Sequence, residues 1–160
     1  MSDSFPLCGG CDCGAIRYEM MREPMYVHAC HCTWCQRETG SAFVLNAIIE
    51  ASEVRTTKGT PIPFVTPSDS GGGQTIWRCD VCFIALWSNY GSGGDRIRYL
   101  RAGTLDKACL IVPDIHIFTN SKHPWIQIPK EHNWAEEFYD AKRYWPEESL
   151  ERFANAKTLV

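Results

Sequence analysis

The chain has 160 residues and a formal net charge of −3; 44% of its residues are hydrophobic and 12% aromatic, with six Trp and six Tyr. That content excludes a disordered tail or a metal sponge of the metallothionein kind, and a chain of about 150 residues buries roughly 68–70% of its unfolded surface, enough for one core without disulfide staples. The charge, with Lys and Arg scattered rather than clustered, argues against nucleic acid as a partner, because phosphate binding needs a basic face.

Taken from the N-terminus, residues 1–6 have neither a basic start nor an apolar stretch. No later segment approaches the roughly 18 consecutive apolar residues of a membrane span. A soluble, cytoplasmic protein with no membrane partner is expected. Composition favours strands over 15–20 and 43–50. Flexible turns at 68–73 and 91–95 set off two short strands, 74–79 and 85–90, which flank a cysteine turn. Further strands are predicted over 96–102 and 114–118, and a short helical turn at 135–139. The last element is a helix over 146–156. Pro146 suits its first position, Glu147 and Glu148 favour the N-terminal dipole, and Leu150, Phe153 and Ala154 share a face. Many short strands punctuated by Gly and Pro predict a mainly β single domain over 1–160 with a short C-terminal helix.

Nine cysteines dominate the chemistry. An odd number cannot all pair within one chain, and in a reduced compartment such residues are metal ligands or catalytic thiols. Cys8, Cys11 and Cys13 form one cluster, Cys30, Cys32 and Cys35 a second, Cys79 and Cys82 a third, and Cys109 is alone. A structural zinc closes with four ligands, one pair from each of two distant segments. Cys79 and Cys82 therefore need a partner pair, either Cys11 and Cys13, followed by the turn-forming Gly14, or Cys8 and Cys11. The middle cluster offers three thiolates and no obvious fourth cysteine, the pattern of a catalytic zinc with an open position. Closure by His28, His31 or a distant histidine would make it structural instead, and a redox pair of Cys32 and Cys35 is a third possibility.

The sequence at Gly9-Gly10-Cys11-Asp12-Cys13-Gly14-Ala15-Ile16-Arg17-Tyr18, then at Cys30-His31-Cys32-Thr33-Trp34-Cys35-Gln36-Arg37-Glu38-Thr39-Gly40-Ser41, then at Cys79-Asp80-Val81-Cys82 and Arg101-Ala102-Gly103-Thr104-Leu105-Asp106, resembles the glutathione-dependent formaldehyde-activating enzymes, whose domain also occurs in centromere protein V. His116-Ile117, Lys122 and Trp125 extend the likeness, which runs from about residue 9 to 125. The resemblance implies a β-tent of small sheets held by two zinc ions per chain, a structural zinc on Cys11, Cys13, Cys79 and Cys82, and a catalytic zinc on Cys30, Cys32 and Cys35. It favours Cys11 over Cys8. Two departures stand out: Cys8 is extra, and Phe83-Ile84-Ala85 follows the last cysteine pair where such proteins commonly have Gly.

A zinc bearing three thiolates withdraws little electron density, so it suits exchange of its fourth ligand for a substrate thiol better than activation of water. With the family name, this points to a carbon–sulfur lyase acting on a thiol–aldehyde adduct such as S-(hydroxymethyl)glutathione. The expected partners are a small thiol and an aldehyde. His31 and Glu38 are the candidate proton carriers, and Arg37 the candidate partner for a substrate carboxylate. His116, Lys122 and Trp34 are further candidates for the site. The alternative from another class is a non-enzymatic zinc-binding scaffold or interaction module, which a fourth protein ligand on the second zinc would favour.

Overall fold

The computed structural model describes residues 5–68 and 71–158. Asp69 and Ser70, in the expected turn at 68–73, lie outside the described residues. Eleven strands, two α-helices and several short 3-10 turns follow one another: β1 Leu7–Gly10, β2 Arg17–Met20, β3 Tyr26–Cys30, α1 Thr33–Thr39, β4 Val44–Glu50, β5 Val54–Lys58, β6 Ile62–Thr66, β7 Gln74–Arg78, β8 Ala85–Tyr90, β9 Ile97–Arg101, β10 Ile115–Ile117, β11 Asn133–Trp134 and α2 Glu147–Thr158. The expectation of a mainly β chain with a short C-terminal helix holds. No helix among the described residues is long and apolar enough to cross a membrane.

The strands form two sheets. A small one runs β1-β2-β5 and a large one runs β11-β10-β3-β4-β9-β8-β7-β6. Pairing is antiparallel except where β10 lies parallel to β3 and to β11. One apolar cluster joins Ile16, Tyr18 and Met20 of the small sheet region to Ala47, Leu86, Trp87 and Leu100 of the large one, and Cys11 and Cys79 are part of it. A second cluster gathers Cys30, Cys32, Cys35, Ile48, Ile97 and Ile115 with Ala156 of α2. The two cysteine centres are thus each built into an apolar cluster, where a free charge would be costly and a paired one is held.

Two expected details are corrected. Residues 135–139 form no helical turn: β11 is followed by irregular chain. The backbone hydrogen bonds there go instead to the segment after β10, with Phe118, Thr119 and Asn120 N–H donating to the carbonyls of Glu137, Ala135 and Glu136. In α2 the buried residues are Ser149 and Ala156, Phe153 is half-buried, and Ala154 is exposed. The packed face therefore runs 149, 152, 153, 156, with Leu150 half-buried at its edge, rather than through Ala154. Polar anchors set that rotation: Ser149 Oγ donates to the Met25 carbonyl at 2.7 Å, and Arg152 reaches both Glu50 oxygens at 2.8 and 2.7 Å.

Candidate metal centres and the adjoining cavity

The hairpin turn after β1 and the hairpin turn after β7 meet at four sulfurs, Cys11, Cys13, Cys79 and Cys82, all within 4.8 Å of one another. Each turn is closed by its own backbone. Cys11 N–H donates to the Ile16 carbonyl, Gly14 N–H to the Cys11 carbonyl with Gly14 at φ 70°, and Cys79 N–H to the Ile84 carbonyl. Phe83 adopts the left-handed region at φ 61° and donates its N–H to the Cys79 carbonyl. It thereby takes the backbone role a glycine would fill, and the knuckle forms despite the side chain. Cys8 is not in the group. It sits on β1 opposite Glu19, exposed, so the pairing of Cys8 with Cys11 is not the one formed.

The donor set fits a divalent cation. The Cys11–Cys13 and Cys13–Cys79 sulfur separations are 3.4 and 3.6 Å, against edges of about 3.8 Å for a tetrahedron of thiolates at about 2.3 Å from zinc. Backbone amides already support negative sulfur, from Ile16 to Cys11 at 3.2 Å and from Val81 to Cys79 at 3.4 Å. The Ile84 and Cys13 amides pull the Cys82 thiol down to about 6. All nine cysteines are free of disulfides.

The second group is Cys30, Cys32 and Cys35, likewise within 4.8 Å of one another and each no more than 5% exposed. Cys30 ends β3, Cys32 caps α1, and Cys35 occupies the first turn, its N–H donating to Cys32 Sγ at 3.3 Å. The loop is fixed from outside: His31 N–H donates to the Ile117 carbonyl at 2.9 Å, and the Gln36 amide donates to the carbonyls of His31 and Ser121 at 2.7 and 2.9 Å. Crowding by Cys32 and Cys35, then burial, pushes the Cys30 thiol well above its ordinary value. Three buried thiolates therefore cannot coexist without a cation beside them, and a divalent ion reverses that balance. No other His, Cys, Asp or Glu among the described residues puts a ligand atom within 4.8 Å of all three sulfurs.

The three cysteines line a cavity of about 600 Å³ whose walls include Trp34, Tyr90, Tyr99, Phe118 and Phe138. Tyr90 and Tyr99 meet edge to face, ring centroids 4.6 Å apart. His28 and Asn46 are also on the wall. His28 bonds the Tyr139 hydroxyl at 2.7 Å, and burial pushes its pKa down to about 3, so the ring is neutral. Behind Asn46 lies a buried cation, Arg101, 5% exposed, which donates to Asn46 Oδ1 and, at 3.0 Å, to Ser88 Oγ. The contact with Cys30 and, more weakly, the Arg101 charge favour the Cys35 thiolate, but crowding by Cys32 and burial outweigh them and push the thiol up to about 12.

The other expected residues fall elsewhere. His31 is fully buried and stacked on His116, with His31 Nε2 2.9 Å from His116 Nδ1; burial first, then neighbouring positive charge, lowers its pKa to about 4. Glu38 accepts from Arg78 and shares with it a separate cavity of about 500 Å³ beside the C-terminal end of α1. Arg37 is exposed and lines neither cavity. Lys122 Nζ donates to the Ile126 carbonyl at 2.7 Å, and Trp125 is exposed. Sequence reading named Trp34, which is on the wall, but missed Tyr90, Tyr99, Phe118 and Phe138 and gave Arg101 no role. Tyr90 and Tyr99 straddle the glycine turn at 91–94, which was a readable sign that two strands present them to one place.

The sequence profile of the family described as glutathione-dependent formaldehyde-activating enzyme matches residues 6–121. Among solved structures, one similar chain is a Rhodobacter sphaeroides protein, 18% identical, with a TM-score of 0.49, covering 81% of this chain and 100% of its own. No match is found among curated proteins. With both cysteine centres assembled inside the matched span, the chain belongs to the glutathione-dependent formaldehyde-activating enzyme family.

Proposed function

We propose that this protein is a zinc-dependent carbon–sulfur lyase that cleaves a thiol–aldehyde adduct, R–S–CH2–OH, into thiol and aldehyde. The observation that carries the proposal is three buried, mutually close thiols on the wall of a cavity, with no fourth protein ligand satisfying the same proximity among the described residues. A scaffold role would call for that fourth ligand. Zinc held by Cys30, Cys32 and Cys35 would supply a positive centre that stabilises sulfur as it becomes anionic.

The chain's own residues do the rest. In the cleavage direction the hydroxyl loses its proton, its oxygen electrons form the C=O bond, and the C–S pair leaves on sulfur, which is then protonated. No oxidant or reductant is needed. The reverse addition proceeds without a catalyst, so the protein has chiefly to hold the adduct in place and exclude water, for which the aromatic walls are suited. We assign the hydroxyl proton to Glu137, whose carboxylate belongs to a cavity-lining residue. In this reading His31 supports the cluster from behind through His116, and Glu38 ties α1 to β7 through Arg78. Arg37 has no part in it. The four-cysteine centre would hold a structural zinc.

Zinc-loaded protein should accelerate aldehyde release from a panel of hydroxymethyl thioethers above the uncatalysed rate. Glu137→Gln should lower that rate by about 10²-fold or more, the low end for general acid–base catalysis. No acceleration with any adduct would remove the lyase reading.

A further inference from the structure

Glutathione carries two carboxylates and becomes still more negative as its thiolate forms. A site built for it needs cations or backbone donors placed for those carboxylates, because an ionised carboxylate taken from water is held only where it is paired. The cavity beside Cys30, Cys32 and Cys35 has no Lys or Arg among its described lining residues, and the one lining residue that bears a carboxylate is the exposed Glu137. Arg101 is the nearest candidate, but it lies behind Asn46 and not on the cavity wall, with one Nη donating to Asn46 and the other to Ser88. Arg37, the expected carboxylate partner, is absent from the wall. Three thiolates around a divalent ion leave the centre with a net negative formal charge. A dicarboxylate thiol would therefore find no cationic side chain on the described wall to pair with.

What the wall does offer is aromatic surface. Trp34, Tyr90, Tyr99, Phe118 and Phe138 surround a volume of about 600 Å³, large enough for a ring-bearing adduct. The Tyr90–Tyr99 edge-to-face pair and the Phe118–Phe138 contact, centroids 6.5 Å apart, leave ring faces and edges to pack against an apolar ligand. We infer that the thiol half of the substrate is uncharged and apolar, an aromatic or branched aliphatic thiol, and that glutathione is a poor ligand for this cavity. The inference rests on the lyase reading for its reaction, but on the cavity alone for its ligand.

Two inert thioethers separate these dependencies, since neither can be cleaved: benzyl methyl sulfide and S-methylglutathione, each titrated calorimetrically into zinc-loaded protein. The expected result is that benzyl methyl sulfide binds at least tenfold more tightly. Phe138→Ala, a change at a residue 63% exposed, with an unaltered circular dichroism spectrum to show that the fold is kept, should weaken benzyl methyl sulfide at least fivefold and leave S-methylglutathione unchanged. Equal or tighter binding of S-methylglutathione, or no detectable binding of either compound, would overturn the inference. If benzyl methyl sulfide binds selectively while the hydroxymethyl adduct of phenylmethanethiol is not cleaved, the ligand class stands and the lyase reading falls.

Discussion

Replacing Cys79 by Ser tests whether the four-cysteine centre holds the domain together. Cys79 is completely buried and belongs to the apolar cluster that joins the small sheet to the large one, and its centre ties the turn after β1 to the turn after β7, 66 residues apart in sequence. A structural zinc in a small domain contributes roughly 10–16 kcal/mol at neutral pH, whereas whole domains are stable by about 5–15 kcal/mol. Even partial loss of that contribution exceeds what the remaining contacts can offset. A buried serine hydroxyl adds a further cost of about 1–3 kcal/mol if left unpaired. The expected outcome is a variant largely insoluble or lacking a cooperative melting transition, with its zinc content reduced by one equivalent. Far-ultraviolet circular dichroism, thermal melting and zinc analysis on the soluble fraction read this out. A soluble Cys79→Ser protein that melts at the wild-type temperature would refute the structural role.

Other consequences follow from particular residues. Phe83→Gly should raise stability by about 1–2 kcal/mol, because Phe83 holds a left-handed φ of 61° while 58% exposed, and a glycine adopts that backbone without strain; an unchanged or lower melting temperature would show that the ring contributes more than the backbone costs. Burial works against the Glu50 carboxylate, but the Arg152 hydrogen bonds outweigh it and hold its pKa below the ordinary value. Stabilisation by this pair is complete above pH of about 4.3 and disappears as pH falls through the folded-state pKa. Arg152→Ala should thus cost about 1–3 kcal/mol at pH 7 and much less in strong acid, and an equal cost at both would count against the pair. A limited amount of chelator should remove one zinc, the one on Cys30, Cys32 and Cys35, without changing the circular dichroism, since those ligands lie on one short segment; collapse of the fold with the first zinc would contradict this.

Sequence made the cysteine chemistry legible because ligand spacing is local. Two residues apart across a turn, Cys11 and Cys13 announce a knuckle before any tertiary contact is known, and the six predicted strands lay within two residues of their observed limits, whereas β1, β3, β5, β6 and β11 were not read. Helix α1 was not read, because its seven residues carry no apolar periodicity; its signals were the Cys32 cap and Gly40, which closes it at φ 63°. The face of α2 was misplaced by one position because hydrophobicity alone chose Ala154, whereas the hydrogen bonds of Ser149 and Arg152 to distant carbonyls and carboxylates set the rotation. Beyond Trp34 and the Tyr90–Tyr99 turn, the cavity was hard to read for a similar reason. Tyr90, Tyr99, Phe118 and Phe138 come from separate segments, and only the pairing of β8 with β9 and the course of the chain around β10 bring them to the cysteines. Glu38 looked catalytic from its distance along the chain, yet one turn beyond Cys35 it faces Arg78.

The most direct test compares wild-type protein with Cys32→Ser, each analysed for zinc and assayed for aldehyde release from the same hydroxymethyl thioether. Cys32 caps a short helix and belongs to the three-cysteine centre, not to the four-cysteine one. The account predicts two zinc ions and accelerated release for the wild type, and one zinc ion, unchanged circular dichroism and no acceleration for the variant. A Cys32→Ser protein that has lost its second zinc but releases aldehyde at the wild-type rate would contradict it.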